Sequence, residues 1–299
     1  MFIDWIIKNS KNLFVIGAIT FTCPEIFVKS IYSRNKGKKP DWMQKNSCLT
    51  ISFDCDYPED VDAIPSLLEM FEGRSFKTAF ACIGYYIEKN TDIHKRIISE
   101  GHEIMNHTYS HPDNEILNPN KKFNELLDEE MIEEVGRCHQ ICVDLLNYHP
   151  IGLRIPHPKY LFTRKIYDFI HKMGYIYSSS TWLTGTNSSG LPFIETNDII
   201  EIPLATCPKH PFSAFDTWHS LRTKRLSHRI KHRTSRQYLE LFEKLINIGI
   251  ETNSYINVYL DPRDIVIIEG FNLFLDLISQ KYFDDIEVLT YREIVERIG

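Results

Sequence analysis

Past residue 45 the chain settles into short apolar runs separated by longer amphipathic ones. Residues 48–53 (CLTISF), 77–82 (KTAFAC) and 255–260 (YINVYL) have the length and composition of buried strands. Shorter strand candidates fall at 103–106, 152–153, 175–178, 199–203 and 286–289. Helical periodicity occupies 60–71, 91–100, 123–146, 163–173, 237–248, 263–279 and 291–298. Asp60 is placed to cap the first of these, and Gly101 and Gly174 stand where helices commonly stop. Alternation of this kind implies parallel strands joined by right-handed crossovers. About seven strands, most followed by a helix, predict an α/β barrel.

The first 45 residues differ in kind and are set apart as an apolar, basic segment preceding a barrel over 46–299. Residues 13–23 (LFVIGAITFTC) are almost wholly apolar but stop at Pro24-Glu25, short of the roughly twenty residues a spanning helix needs. No small-residue cleavage pattern follows them, which argues against a signal peptide. The expectation is a membrane-surface or re-entrant anchor, with membrane contact through residues 1–40 and the basic run 34–39 (RNKGKK) holding the barrel on the cytoplasmic side. This makes the protein cytoplasmic and peripheral at the inner face of the cell membrane. The alternative is a helical hairpin packed on the barrel.

Composition narrows the classes. With 299 residues, 43% hydrophobic and 25% charged, the chain is globular rather than disordered. A net charge of −6 leaves no basic footprint for nucleic acid. The basic run at 224–236 reads as a solvated face, with a phosphate or anionic-membrane contact as its alternative. Seven cysteines show no disulfide spacing and read as reduced thiols. Cys138, His139 and Cys142 sit inside a helical pattern, where the cysteines read as core and not as metal ligands.

Three polar clusters stand where predicted strands end, the location of barrel active sites. Asp54 and Asp56 follow the strand at 48–53, His107 and His111 follow the strand at 103–106, and Arg154 follows the strand at 152–153. Two buried carboxylates one residue apart need a cationic partner. Two imidazoles and one carboxylate form a common facial set for a divalent ion with open positions. Singly, each cluster has a plain structural explanation: a solvated histidine pair, or a carboxylate that caps a turn. Together, in this order and each at a strand end, they point to a metal centre.

Phe53-Asp54-Cys55-Asp56, His107-Thr108-Tyr109-Ser110-His111-Pro112 and Arg154-Ile155-Pro156 resemble the first three motifs of the polysaccharide deacetylase family, carbohydrate esterase family 4, in its Asp-x-Asp branch. The resemblance spans roughly residues 48–290, and the histidine motif is its most specific part. It implies a distorted (β/α) barrel of about seven strands and a metal-dependent hydrolase that removes acetyl groups from N-acetylated sugars. Carried over, Asp56, His107 and His111 hold the ion, expected to be zinc. Asp54 is the general base, and Arg154 orients it and tunes its basicity. The chemistry is coherent: an amide carbonyl needs a Lewis acid, and the attacking water needs a carboxylate to take its proton.

Two stretches depart from the family. Where it carries a histidine that protonates the leaving amine, this chain reads Tyr259-Leu260-Asp261-Pro262, so Asp261 takes the acid position; His157, His210 and His219 are further candidates. Where relatives place an aspartate behind the arginine, the chain has Ser178-Ser179-Ser180. Trp182, Phe212, Phe215 and Trp218 are candidates to stack on a sugar or, alternatively, to anchor loops. The expected substrate is an N-acetylated or N-formylated sugar or glycan, lipid-linked in view of the apolar N-terminus. The alternatives are a non-sugar amide or linear C–N bond, and a degenerate barrel that binds metal or glycan without turnover.

Overall fold

The computed structural model describes residues 2–158, 162–196, 198–222 and 234–299, so residues 224–233 of the basic run lie outside the described residues. Strands are β1 (Ser47–Cys55), β2 (Ala79–Cys82), β3 (Glu103–Asn106), β4 (Gly152–Leu153), β5 (Tyr177–Ser178), β6 (Phe193–Thr196), β7 (Ile199–Glu201), β8 (Thr206–Cys207), β9 (His210–Ala214), β10 (Tyr255–Leu260) and β11 (Ile286–Val288). Helices are α1 (Phe2–Lys8), α2 (Leu13–Thr22), α3 (Pro24–Tyr32), α4 (Pro58–Phe71), α5 (Gly84–Lys89), α6 (Thr91–Ser99), α7 (Asp128–Leu146), α8 (Tyr167–Lys172), α9 (Ser235–Thr252), α10 (Pro262–Ile265), α11 (Phe271–Gln280) and α12 (Tyr291–Ile298).

The main sheet runs β10-β1-β2-β3-β4-β5-β7-β6, with β11 paired to the start of β1. Every pairing is parallel except β6 against β7. All nine residues of β1 are buried, as expected of a parallel strand covered on both faces. The curled sheet closes without a β7–β10 ladder among the described residues. Instead the Ala205 N–H donates to the Asn257 carbonyl at 2.7 Å, and the Asn257 Nδ2 donates to the Ile202 and Pro203 carbonyls. That seam makes the structure a distorted barrel, and β6 and β11 bring the sheet to nine strands.

Helix α7 shows how the outer layer is built. Met131, Val135, Cys138, Cys142 and Leu146 are its buried residues, spaced by three and four. Both cysteines therefore sit in the core, as their spacing predicted. Three acidic residues occupy its first turn, favourable against the helix dipole, and Asn147 closes it in the left-handed conformation.

Several boundaries move for identifiable reasons. Helix α4 begins at Pro58, with Tyr57 in the cap position, while Asp60 points back into the structure. The predicted helix at 263–279 divides into α10 and α11, because Gly270 between them adopts φ 86°. The pattern from 123 starts as a single 3-10 turn, and α7 begins only at Asp128.

Candidate active site

The site lies at the C-terminal ends of β1, β3 and β4, where the sequence placed it. Asp54 is the penultimate residue of β1 and Asp56 follows the strand directly. Residues 106–111 turn sharply after β3: Thr108 and His111 both have positive φ, at 68° and 53°. The turn is held from several sides. The Thr108 N–H donates to the Asn106 Oδ1, the His111 N–H to the Thr108 Oγ1, and the Tyr109 and Ser110 N–H groups to the Glu134 carboxylate on α7. Asp113 and His157 share the left-handed conformation, so four non-glycine residues at or beside the site carry backbone strain.

The three predicted ligands converge. His107 Nε2 lies 3.1 Å from Asp56 Oδ1, and His111 Nε2 lies 3.5 Å from Asp56 Oδ2. One donor atom from each residue falls within 4.8 Å of the others. His107 Nδ1 donates to the Arg154 carbonyl at 2.7 Å, and a carbonyl can only accept. The neutral ring therefore presents a lone pair at Nε2, facing a carboxylate oxygen. Two acceptors in contact repel unless a proton or a cation stands between them. Consistently, Asp56 Oδ1, His107 Nε2 and His111 Nδ1 are buried without a hydrogen-bond partner. This donor set, with the second nitrogen of His107 fixed by a carbonyl, fits a divalent ion.

The titration directions agree. Burial opposes the Asp56 charge, but His111 and His107 outweigh it and hold the carboxyl well below the usual carboxylate range. Burial drives His111 down to about 3, which keeps it neutral and available as a ligand. For His107 burial also favours the neutral form, yet Asp56 and Asp54 carry its pKa above the ordinary value. Without an ion, a proton is what screens Asp56 from that ring.

Arg154 is fully buried and all five of its N–H donors are used. Nη1 reaches Asp54 Oδ1 at 2.5 Å and Ser52 Oγ at 3.0 Å; Nη2 reaches the Tyr291 hydroxyl at 2.6 Å and Ser179 Oγ at 3.2 Å; Nε reaches the Ser179 carbonyl at 3.1 Å. Tyr291 passes its own proton to Asn257 Oδ1 at 2.6 Å. Ser179, Ser52 and Tyr291 thus do together what an aspartate was expected to do. Asp54 Oδ2 lies 3.9 Å from His107 Nε2, beside the ligand set. Burial raises the Asp54 pKa, and Arg154 acts against that rise.

Asp261 directly follows β10, whose Leu260 pairs with Phe53, so it stands beside Asp54 at the same rim. Its Oδ2 accepts from Thr217 Oγ1 at 2.7 Å and from the Trp218 N–H at 3.2 Å, and Arg263 lies 3.8 Å from Oδ1. Burial, partly offset by Arg263 and Thr217, still pushes Asp261 up to about 7. His157 also reaches the site, its ring centroid 5.0 Å from that of His111, with Asp113 4.0 Å away. His210 is buried in β9, and the His219 side chain lies outside the described residues. Of the four aromatics, Trp182, Phe212 and Phe215 are buried loop and strand anchors, whereas Trp218 is about half exposed at 47%.

Sequence reasoning missed the supports. Asp60 accepts from the Asp56 and Tyr57 N–H groups and from Arg263, tying α4 to α10 beneath Asp56. Asn114 Nδ2 donates to the Asp56 carbonyl at 2.9 Å. Glu134 and Tyr291 lie far along the chain from the motifs they support, and nothing local marks them.

Fold and donor set together define a parallel α/β barrel with an Asp-His-His centre at its mouth. Residues 43–178 match the sequence model of the polysaccharide deacetylase family, the family that the motif resemblance named. A peptidoglycan-N-acetylglucosamine deacetylase from Bacillus cereus is 33% identical over 113 residues, covering 38% of this chain and 37% of that protein. The chain thus spans well under half of that relative's length. A solved structure from Mycobacterium smegmatis, assigned to the polysaccharide deacetylases, superposes with a TM-score of 0.70 at 16% identity, over 87% of this chain and 93% of the other. An allantoinase superposes with a TM-score of 0.65 at 11% identity, over 86% and 91%. At such identities the two structures speak for the fold alone.

Proposed function

We propose that this chain is a metal-dependent hydrolase that removes an acetyl or formyl group from the amide nitrogen of an N-acylated sugar or glycan, with zinc as the ion. The observation that carries the reading is the lone pair of His107 Nε2 facing Asp56 Oδ1, one residue from a carboxylate already paired to Arg154. The ion, held by Asp56, His107 and His111, supplies Lewis acidity toward the amide carbonyl and lowers the pKa of water. Asp54 receives the proton of the attacking water through Oδ2, since Oδ1 is engaged by Arg154. Its burial-raised pKa makes it the stronger base, and the five-fold grip on Arg154 fixes its orientation.

Cleavage of the C–N bond leaves an amine that needs a proton. Asp261, with a pKa near 7 at the neighbouring strand end, provides it. A second reading gives this task to His157, favoured by its ring 5.0 Å from His111. Trp218, half exposed beside Asp261, offers a flat face to a pyranose ring.

The test is metal content together with acetate or formate release from a panel of N-acylated amino sugars. Stoichiometric metal with turnover abolished in Asp54→Asn supports the hydrolase. Full occupancy without turnover on any sugar or small amide leaves only a binding barrel. Asp261→Asn and His157→Gln, compared by the basic limb of the pH–rate profile, assign the acid: the true donor's variant loses that limb.

A further inference from the structure

The N-terminal helices carry chemistry that catalysis leaves unused. Among the described residues sixteen large hydrophobic side chains are exposed, and six of them fall in the first 26 positions: Phe2, Trp5, Leu13, Phe14, Phe21 and Ile26. Helix α2 (LFVIGAITFT) contains no charged residue and buries only Ile19. Phe14, Ala18 and Phe21 stand at i, i+4 and i+7, so they line one side of the helix, and Phe14 is 90% exposed. Phe2 and Trp5, three apart, share an exposed side of α1 while Ile6 and Ile7 are buried. A monomer in water rarely leaves such a patch uncovered.

Charge indicates what covers it. Residues 1–45 hold eight Lys or Arg against three Asp or Glu, a net of +5, whereas the whole chain is −6, which leaves −11 for the remainder. Lys8 and Lys11, between α1 and α2, are exposed, as are Lys36, Lys38 and Lys39 after α3. A second copy of the chain would present the same positive charge to this face. An anionic lipid surface satisfies both the apolar stripe and the lysines.

No single helix of the segment is long enough to cross such a surface. Ten residues of α2 rise only about 15 Å against a hydrocarbon core of about 30 Å. The break between α2 and the following helical segment bends the chain by 99°, and no single helix among the described residues is long and apolar enough to span. Helix α3 is committed to the barrel: Phe27, Val28, Ile31 and Tyr32 are buried, and Phe27 stacks on Phe212 of β9 at 5.7 Å.

We propose that α1 and α2 dock on an anionic membrane surface, with Trp5, Phe14 and Phe21 entering the headgroup–acyl boundary and Lys8 and Lys11 meeting lipid phosphates. The docked unit packs on β9, and the chain leaving β9 carries Thr217 to Asp261. Surface binding therefore holds the barrel mouth at a fixed relation to the lipid, suited to an N-acylated glycan attached there.

Flotation of the full chain with phosphatidylcholine vesicles, with and without phosphatidylglycerol, tests this without any activity measurement. Wild type floats with the anionic vesicles, and less so as salt is raised. Phe14→Glu with Phe21→Glu lowers partitioning on the order of tenfold or more. Lys8→Gln and Lys11→Gln each lower it roughly fivefold on anionic vesicles only. Because these side chains are exposed, all three variants keep the wild-type melting temperature. Wild type that floats with neither vesicle, or variants that float as wild type does, overturn the proposal. So does concentration-dependent dimerisation abolished by Phe14→Glu, which assigns the patch to a second copy. Vesicle binding by a catalytically silent chain would leave this inference standing while the hydrolase reading fell.

Discussion

At the barrel mouth, Asp54, His107, His111 and Arg154 are charged or titratable and almost wholly buried. On α1 and α2, Phe2, Leu13, Phe14 and Phe21 are apolar and at least 70% exposed. Ordinary folding energetics places each group on the opposite side. The two departures are stabilised differently. The mouth compensates internally: every Arg154 donor has an acceptor, and Asp56 Oδ1 and His107 Nε2, both without a hydrogen-bond partner, face each other at 3.1 Å. The helices bury Ile6 and Ile7 of α1, Ile19 of α2 and one face of α3, but leave the outer side of α2 open. Internal compensation marks a site assembled for chemistry inside the chain; its absence marks a surface completed by something outside it.

The sharpest way to break the comparison is to remove compensation at the mouth. Asp54→Asn is expected to lower turnover by roughly a thousandfold, the scale of a positioned general base, with metal content unchanged. Arg154→Met removes the guanidinium paired with buried Asp54 and is expected to cost about 3–5 kcal/mol of unfolding free energy. Adding Asp54→Asn to that variant removes the orphaned charge and recovers part of the loss. Denaturant titrations of the three variants check this, and a fully stable Arg154→Met would mean that the network is not a unit.

A second buried carboxylate sharpens the contrast, because its partners are a tyrosine hydroxyl and a backbone N–H in place of a guanidinium. Glu103, on β3 at the other end of the strand from His107, accepts from the Tyr177 hydroxyl and the Arg292 N–H. Burial pushes its pKa up to about 7 from an ordinary 4.5. A raised folded-state pKa contributes stability that is complete below 4.5 and is lost as pH climbs through 7. The loss amounts to about 3 kcal/mol. Glu103→Gln, which cannot ionise, is expected to gain on wild type by that amount across the window. Parallel unfolding curves at every pH would refute the assignment.

The ion gives a smaller, graded effect. Since Asp56 and Asp54 hold His107 above its ordinary pKa despite burial, metal entry at lower pH must displace one proton. Affinity is expected to rise about tenfold per pH unit below that pKa and to level off above it. Titration with zinc across pH measures the slope. His107→Ala is expected to remove tight binding altogether.

How much of this the sequence revealed depended on where the information lay. The clustering of Asp54, Asp56, His107 and His111 was legible because strand ends are visible as apolar runs and these residues stand at or just past them. The barrel was legible for the same reason, β1, β2 and β10 being buried on both faces. Tyr291, Asn257 and Glu134 were not, since they meet Arg154 or the histidine turn only through packing between distant elements. Strand β6 escaped notice because none of its four residues is buried, which leaves no apolar run to read. The break between α10 and α11 was written in Gly270, but a lone glycine in an apolar helical pattern is weak evidence until its φ is known.

The smallest expected effect lies in the N-terminal helices, and it separates their two faces. Ile31, fully buried on α3, should cost about 2–5 kcal/mol when changed to Ala, since it leaves a cavity between α3 and the barrel. Phe14→Ser should change the unfolding free energy in water by no more than about 0.5 kcal/mol, although more carbon is removed. The ring at 90% exposure already pays its hydration cost in the folded state, so deleting it takes nothing from the fold. Equal costs for the two substitutions would mean that Phe14 is packed in solution, against protein and not awaiting lipid. A near-zero cost for Phe14→Ser in water, with a clear loss on vesicles, would show that the α2 face has its partner outside the chain.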